Sequence, residues 1–229
     1  MFLVKLKLKG VGMAFEFVKW IGHAAFLLEG EQRIYIDPYK LSRNFGHADI
    51  IFITHSHYDH LSLDDIRKVA DPETVIVAPA EAKGKLIGFD TQLVEPLKEY
   101  SIKGVDFDTV PAYNVKKERL NFHPKANNWV GYIININGKR IYHAGDTDKI
   151  EEMKDVKCDL ALLPMGGTYT MDINEAIEAT KLIKAAYFAP MHYKILLGKE
   201  GSVEAEKKFS SLVKNSIIFK EVQEPSYSF

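Results

Sequence analysis

The sequence is poor in cysteine and has no long uninterrupted hydrophobic run. Cys158 is the single cysteine among 229 residues, which excludes an intramolecular disulfide framework and suits a reducing compartment. We interpret it as a small buried apolar residue rather than a reactive thiol. Residues 1–9 run into lysines that alternate with leucines, so they lack the apolar stretch that a signal peptide or a membrane span requires. These absences predict a cytoplasmic protein.

The chain also lacks an excess of charge of either sign. It has 30 lysines and arginines against 31 acidic residues, and its formal net charge is -1. This balance gives no global attraction to nucleic acid, so substrate selection must depend on local groups. Hydrophobic residues make up 46% of the chain, which is enough for a large core and argues against disorder.

Apolar runs with strand character recur, and several are too continuously hydrophobic for a sheet with one face in water. They lie at residues 15–20, 34–36, 50–53, 74–77, 130–136, 139–142, 160–163 and 187–189. We interpret residues 1–9 as a strand or an extension, and translation from Met13 stays open beside a start at Met1.

Helix and turn patterns lie between these strands. Ser62, Asp172 and Ser202 are candidate helix N-caps, and residues 174–186 place apolar side chains near one helical face. Asn137-Gly138 predicts a hairpin. The interleaving predicts an α/β chain with covered, mixed sheets. A repeated order of strands, polar loop and helix predicts one domain over 1–229, built of two similar halves of about 1–115 and 116–229.

The densest polar cluster follows the apolar run 50–53 and contains His55, His57, Asp59 and His60. Side chains two apart in an extended segment point the same way, so His55 and His57 can chelate one ion. Asp59 and His60 fall at the turn into a helix and can serve a second ion. A His-x-His pair alone is more often a surface pair, but the added carboxylate and imidazole after a buried strand predict a metal site.

Two other apolar strands end in residues of ligand type, Asp146 behind Gly145 and His192 behind Met191. Alone, Asp146 could equally be a helix cap, and His192 a core histidine. Loops at one end of the sheets in layered α/β folds gather in a common cleft. We therefore expect His55, Asp146 and His192 to meet.

Together these motifs resemble the metallo-β-lactamase superfamily over nearly the whole chain. Residues 20–26 (Trp-Ile-Gly-His-Ala-Ala-Phe) and 36–38 (Ile-Asp-Pro) resemble, more narrowly, the metal-dependent hydrolases related to ascorbate-6-phosphate lactonase and, more distantly, the phospholipase D that acts on N-acylethanolamine lipids. The resemblance implies a four-layer αββα sandwich with the site along one edge of its two sheets. It further implies that His55 and His57 bind one ion, that Asp59, His60 and His192 bind a second, and that Asp146 bridges them.

One ligand position departs from the family pattern. The resemblance implies a histidine shortly after residues 110–113, where this chain has Asn114. His123 lies further along the same connection and is our preferred ligand, with Asn114, a water or an empty position as alternatives. His23 and Asp37 resemble residues that line the site in this branch, so we predict catalytic roles for Asp59, His23 and Asp37. For His23 and Asp37, orientation of a ligand histidine is an equally good interpretation.

The remaining polar residues carry weaker expectations. We interpret His143 and His47 as structural. Thr168, Tyr169 and Lys194 are candidate substrate contacts.

The resemblance implies a dinuclear hydrolase for a small-molecule ester, lactone or phosphoester. Two divalent ions about 3.5–4 Å apart hold a shared water as hydroxide and polarise the substrate, while Asp59 or His23 takes or relays the proton. Imidazole and carboxylate ligands suit zinc, and manganese or iron(II) would also fit.

Other functions stay open at this point. A nuclease of the same superfamily is the main alternative, although Lys116, Lys117 and Arg119 are the only close basic group and usually mark a solvated loop. A metal-sensing module would need a closed ligand set, and the fold alone confers no β-lactamase activity. We expect a small-molecule substrate, no nucleic acid and no membrane, and the related lactonases leave homo-oligomeric assembly open.

Overall fold

The computed structural model describes residues 14–225 and residue 227. Twelve strands within this part of the chain form two sheets of six strands each. The expectations for residues 1–9 and for a start at Met13 lie outside the described residues.

The first sheet contains the strands of the N-terminal half in sequence order, β1-β2-β3-β4-β5-β6. β1 to β3 pair antiparallel, and β3 to β6 pair parallel. The strands are β1 (Val18–Gly22), β2 (Ala25–Glu29), β3 (Arg33–Ile36), β4 (Ile50–Phe52), β5 (Val75–Pro79) and β6 (Asp90–Val94). A helix, α1 (Leu63–Val69), and a 3-10 helix (Ala80–Lys85) lie between these strands in the chain.

The second sheet has the order β12-β11-β10-β9-β8-β7. β7 to β10 pair antiparallel, and β10 to β12 pair parallel. The strands are β7 (Glu99–Ile102), β8 (Val105–Pro111), β9 (Val130–Ile136), β10 (Lys139–His143), β11 (Lys157–Pro164) and β12 (Lys184–Met191). The helices are α2 (Ile173–Ala179) and α3 (Lys194–Leu212), with 3-10 turns at Lys125–Asn127 and Glu151–Asp155.

Successive side chains of a strand point to opposite faces of its sheet, so they pack in different layers of the fold. Phe52 of β4 packs edge-on against Phe107 and Tyr132 of the second sheet, with ring centres 4.9 Å away in both cases. Its neighbour Ile51 points to the other face and joins the apolar cluster that contains Ile66 of α1. The predicted αββα sandwich is confirmed. The two sheets divide between Val94 and Glu99, and a division into similar halves near residue 115 stays a prediction.

Several local predictions are confirmed. Ser62 caps α1 by accepting a hydrogen bond from Asp65 N, and Asp172 caps α2 within a complete capping box. The hairpin between β9 and β10 turns at Asn137 and Gly138, whose φ angles are 51° and 68°. These positive angles are those of a type I′ turn.

Two helix predictions are wrong. The apolar pattern predicted a helix through residue 186, but α2 ends at Ala179 and β12 begins at Lys184. Pairing with β11 in the sheet outweighs the local periodicity there. Ser202 lies inside α3 rather than at its N-cap and donates its hydroxyl to Gly198 O, at a kink where Gly198 has a φ of 65°.

No helix in residues 14–225 and 227 is both long enough and apolar enough to cross a bilayer.

Candidate metal centre

Side chains of ligand type gather where strands of both sheets end. β4 leads into residues 54–60, while β8, β10 and β12 lead to His123, Asp146 and His192. Three groups place their ligand atoms within 4.8 Å of one another. They are His55, His57 and His123; His23, Asp59, His60 and His192; and His55, His60 and Asp146. The structure therefore brings together every residue that the sequence predicted as a metal ligand, and it adds His23.

One group, which we name the imidazole corner, consists of His55, His57 and His123. His55 Nε2 lies 3.0 Å from His57 Nδ1, as expected for side chains two apart in an extended segment. Trp129 covers this corner, with its ring centre 4.8 Å from the ring centres of both His55 and His57. Glu81 fixes the indole by accepting a 2.9 Å hydrogen bond from Trp129 Nε1. The three ligand side chains of this corner are therefore all imidazoles.

The second group, which we name the carboxylate corner, consists of His23, Asp59, His60 and His192. Asp59 Oδ2 lies 3.0 Å from His23 Nε2, 3.7 Å from His192 Nε2 and 3.8 Å from His60 Nε2. The ring centres of His23 and His192 are 3.7 Å apart. All four side chains are buried, so Asp59 draws its charge compensation from these rings rather than from bulk water.

Asp146 lies between the two corners. Its Oδ1 is 3.4 Å from His60 Nε2, and its Oδ2 is 3.4 Å from His123 Nε2 and 3.2 Å from His192 Nε2. Gly145 turns the chain with a φ of 64°, and a Cβ there would lie 3.2 Å from Val130 O. Glycine is required at this turn because other residues would be strained and crowded. A carboxylate in this position can contact ions in both corners.

Asp37 holds His60 from the side away from the cluster. Asp37 Oδ2 accepts hydrogen bonds from His60 Nδ1 at 2.7 Å and from Thr54 Oγ1 at 2.6 Å, and Oδ1 accepts from Thr54 N at 2.8 Å. Because His60 donates from Nδ1, its Nε2 points at Asp146. Asp37 is fully buried behind the ring, so the structure places it as the partner that orients His60 and not as a residue in contact with substrate.

Asn114 holds His123 in the same way. Asn114 Oδ1 accepts hydrogen bonds from His123 Nδ1 at 2.9 Å and from His123 N at 3.0 Å. A carboxamide oxygen only accepts, so Nδ1 carries a proton and Nε2 is directed at Asp146. Asn114 Nδ2 in turn donates to Asp148 Oδ1 at 3.1 Å and to Tyr169 O at 3.0 Å. Of the two candidates, the structure places His123 in the cluster and Asn114 behind it.

Four buried atoms at the centre of the cluster contact carboxylate or imidazole groups at 3.2–3.4 Å but form no hydrogen bond of good geometry with the described residues. They are His60 Nε2, His123 Nε2, His192 Nε2 and Asp146 Oδ1. Buried polar atoms in native proteins are almost always paired. Imidazole nitrogens and a carboxylate oxygen that converge in this way share one suitable partner, a divalent metal ion. The donor set therefore fits the metal that the sequence predicted.

The two corners differ in the protonation of their histidines. Burial lowers the pKa of His55 well below its usual value, and burial together with the facing His123 lowers the pKa of His57 to about 4. Both rings are neutral at physiological pH, which is the form that binds a metal ion.

In the carboxylate corner, neighbouring carboxylates raise the pKa of two histidines instead of letting burial lower it. Burial opposes protonation of His60 and His192, but Asp146 outweighs it and holds the pKa of His60 well above its usual value and that of His192 at about 9. Burial would raise the pKa of Asp146, yet His192 and His60 hold it well below the usual range. Protons thus balance the carboxylates in the absence of cations, and a bound ion would displace those protons.

Three residues of the centre have left-handed backbone conformations that non-glycine residues seldom adopt. The φ angles are 50° at His23, 46° at Asp37 and 56° at His192. His23 O accepts 3.0 Å hydrogen bonds from both His192 N and Trp20 Nε1, which hold two of these turns together. Strain of this kind persists where the surrounding structure enforces it and is typical of functional sites.

Comparisons with known proteins agree with this geometry. The sequence pattern of the β-lactamase superfamily domain matches residues 17–192. A metal-dependent hydrolase from Thermoplasma volcanium is 32% identical over 218 residues, which cover 90% of this chain and 96% of that protein. The chain belongs to the metallo-β-lactamase superfamily.

Solved structures support the superfamily fold. A protein from Parabacteroides distasonis described as a metal-dependent hydrolase has a TM-score of 0.78 and 32% identity, over 90% of this chain and 93% of that chain. A metallo hydrolase from the hyperthermophilic archaeon Ignicoccus hospitalis has a TM-score of 0.71 and 28% identity, over 90% of this chain and 95% of that chain. The predicted superfamily is confirmed, whereas the narrower resemblance to ascorbate-6-phosphate lactonase stays a prediction.

An open cavity of about 280 Å³ gives access to this superfamily site. Its lining residues are His57, Tyr58, Asp59, Phe122, His123, Asp146 and Tyr169. The cavity therefore reaches both corners and Asp146, and it adds an aromatic wall. Of the candidate substrate contacts, Tyr169 lies on this wall, while Thr168 is exposed beside it and is not part of the lining.

Lys194 is directed elsewhere. It is buried, its Nζ lies 3.2 Å from Glu221 Oε1, and it sits 4.6 Å from the ring centre of Trp20. His143 Nε2 donates to Ala24 O at 2.9 Å, and His47 is exposed outside the cluster, as a structural interpretation of both residues requires.

Sequence analysis missed Trp129, Glu81 and Phe122. A tryptophan or a phenylalanine in a loop has many interpretations, and the sequence pattern contains nothing that pairs Trp129 with ligands more than 70 positions earlier.

Proposed function

We propose that this protein is a metal-dependent hydrolase that holds two divalent ions, one in each corner, and cleaves an ester, lactone or phosphoester bond of a small molecule. Relatives named metal-dependent hydrolases, aligned over most of their length, support the reaction class. The observation that carries the proposal is the convergence around Asp146 of buried ligand atoms that lack hydrogen bonds of good geometry, at the base of an open cavity.

The residues of the centre divide into metal ligands and residues that orient those ligands. His55, His57 and His123 would hold one ion, and Asp59, His60 and His192 the other, with Asp146 in contact with both. Asp37 and Asn114 orient the rings of His60 and His123. When bound, two such ions supply Lewis acidity to the substrate and lower the pKa of a shared water.

Asp59 and His23 are suited to handle the proton that hydrolysis releases. Asp59 lines the cavity, and His23 Nε2 lies 3.0 Å from its Oδ2 on the buried side. Burial lowers the pKa of His23 to about 4, so the ring is neutral and can donate one hydrogen bond to the carboxylate. We infer that Asp59 accepts a proton at Oδ1, the carboxylate oxygen that His23 does not contact, while His23 fixes the direction of the carboxylate.

We also infer a small-molecule substrate rather than a nucleic acid. Of the three basic residues considered for a nuclease, Arg119 and Lys116 form ion pairs within the protein, while Lys117 is exposed. Arg119 is buried and forms ion pairs with Asp148 at 2.8 Å and with Glu175 at 2.9 Å, and Lys116 Nζ lies 2.6 Å from Glu175 Oε1. Salt-independent, negligible binding of a single-stranded RNA is the expected result. Tight binding that weakens steeply with salt would support the nuclease instead.

Elemental analysis of freshly purified protein, followed by a screen of generic esters, lactones and phosphodiesters, tests the proposal. We expect one to two transition-metal ions per chain. His57→Ala should lower the metal content and abolish hydrolysis, because it removes a ligand that also faces the cavity. His47→Ala is the matched control, since that histidine is exposed and outside the cluster, and it should change neither quantity. Metal-free protein with full activity would exclude the mechanism.

A further inference from the structure

The wall of the cavity is aromatic. Phe122 and Tyr169 meet edge to face with their ring centres 4.8 Å apart, and Tyr58 at the mouth makes a similar contact with Tyr39 at 6.0 Å. Phe122 and Tyr58 are 38% and 62% exposed. Large apolar side chains left open beside a site of this kind offer a surface for the apolar part of a ligand.

Cationic side chains are missing from this wall. Within residues 14–225 and 227, the lining contains neither lysine nor arginine. The guanidinium closest in sequence to Phe122, that of Arg119, points away from the cavity into Asp148 and Glu175. Recognition of a phosphate group usually uses arginine or lysine, which form the strongest charge-assisted hydrogen bonds to it. The protein's own contribution to the cavity is therefore one carboxylate pair, Asp59 and Asp146, together with aromatic and imidazole rings.

The aromatic wall is fixed in place before any ligand arrives. Arg119 Nη1 donates to Thr170 O at 2.6 Å, and Phe122 N donates to Arg119 O at 2.9 Å, so one arginine ties together the two loops that carry Phe122 and Tyr169. Asn114 Nδ2 adds a 3.0 Å hydrogen bond to Tyr169 O. A preformed apolar surface binds without the cost of ordering its own side chains.

We propose that the substrate is a neutral carboxylic ester or lactone whose apolar acyl portion packs on Phe122 and Tyr169, and that dianionic phosphomonoesters are poor substrates. This inference depends on the proposed hydrolase function. It adds the substrate class, which follows from the aromatic wall and from the absence of lysine and arginine among the lining residues.

Three p-nitrophenyl compounds with the same leaving group provide the kinetic test on metal-loaded protein: the acetate, the butyrate and the phosphate. Each methylene buried on the wall should raise kcat/KM by up to about fourfold. The butyrate, with two more methylenes, should therefore exceed the acetate by up to about fifteenfold, mainly through a lower KM, and the phosphate should be the poorest of the three. Faster hydrolysis of the phosphate, or no preference for the longer acyl chain, would overturn the inference.

Phe122→Ala tests the role of the aromatic wall independently of the metal centre. It should erase the preference for butyrate over acetate, by raising KM for the butyrate, while the metal content stays unchanged. Leu212→Ala is the matched control, because Leu212 is an exposed apolar side chain at the end of α3 and does not line the cavity. An unchanged chain-length preference in Phe122→Ala would count against the wall as the acyl site.

A binding measurement keeps the two proposals distinguishable. Saturation-transfer NMR with 4-phenyl-2-butanone, a neutral ketone that cannot be hydrolysed, should show contact of its ring with metal-loaded protein and loss of that contact in Phe122→Ala. Ring contact without hydrolysis of any ester, lactone or phosphoester would refute the proposed function and leave the binding site intact. Hydrolysis of esters with no ring contact would refute the inference alone.

Discussion

The imidazole corner and the carboxylate corner are built from the same kind of ring but differ in charge and in access. His55, His57 and His123 form the first without an acidic residue of their own, and His57 lines the cavity. The second surrounds Asp59 with three buried rings. The histidine cluster is thus not one uniform site, because the position of the carboxylates decides which imidazole rings hold positive charge.

The difference leads to an expected order of affinity. An ion in the carboxylate corner gains the attraction of Asp59 and of Asp146 in a buried environment, where charges interact strongly. An ion in the imidazole corner would share Asp146, would have no other carboxylate and would lie beside the half-buried His57. We therefore expect the imidazole corner to lose its ion first when a chelator is added.

The largest expected effect comes from removing one histidine from each corner. His192→Ala should lose the more tightly held ion, whereas His57→Ala should retain close to one ion per chain, and both should lose hydrolytic activity. Titration with a competing chelator, read by elemental analysis, measures the retained ion. Equal retention by the two variants would show that the corners do not differ in affinity.

A smaller effect is expected from removing Asn114, which orients His123 of the imidazole corner. Asn114→Ala removes the acceptor that fixes the tautomer of His123, and loss of such a partner typically costs about 10-fold to 100-fold in metal affinity. The loss should affect the more weakly bound ion only. Asn114→Asp keeps an acceptor at the same position and should recover much of that affinity. An Asn114→Ala protein that binds both ions as wild type does would remove the supporting role.

The smallest expected effect concerns the network that anchors the loop of the imidazole corner. Arg119 and Lys116 contact Glu175, and Arg119 also contacts Asp148, whose carboxylate accepts hydrogen bonds from Val115 N and Lys116 N. Burial would raise the pKa of Glu175, but the hydrogen bonds from Arg119 and Lys116 outweigh it and lower the pKa to about 2. Stability from this carboxylate is thus fully present above its unfolded pKa of about 4.3 and is lost as the pH falls through about 2.

Urea unfolding of metal-free Glu175→Gln and wild type between pH 7 and pH 3 measures how much the Glu175 carboxylate contributes to the free energy of unfolding. The variant should be less stable by about 1–3 kcal/mol at pH 7, and the difference should shrink below about pH 4.5. Glu178→Gln on the same helix is the control, because its pair with Lys181 is exposed and such pairs contribute little. A difference that stays constant down to pH 3 would contradict the shifted pKa of Glu175.

Much of the architecture could be predicted because it is encoded locally. Caps at Ser62 and Asp172 and the turn at Asn137-Gly138 depend on neighbouring residues, and the continuous apolar runs marked central strands. The edge strands β6 and β7 and the first part of β8 were missed because charged and polar residues interrupt their apolar pattern, and β2 was missed although its residues are mostly apolar. The end of α2 was misjudged because pairing between β11 and β12 decides it.

The sequence by itself determined the chemistry of the centre. Spacing in the segment from His55 to His60 fixes two pairs of ligands within a few residues, and covalent geometry leaves them little freedom. Tertiary structure alone decided that His123 and not Asn114 joins them, that Asp37 stands behind His60, and that Arg119 is used up inside the protein. These contacts join residues 9 to 56 positions apart, each within the connections of one sheet, and their geometry follows from how those connections pack in space, which no local pattern specifies.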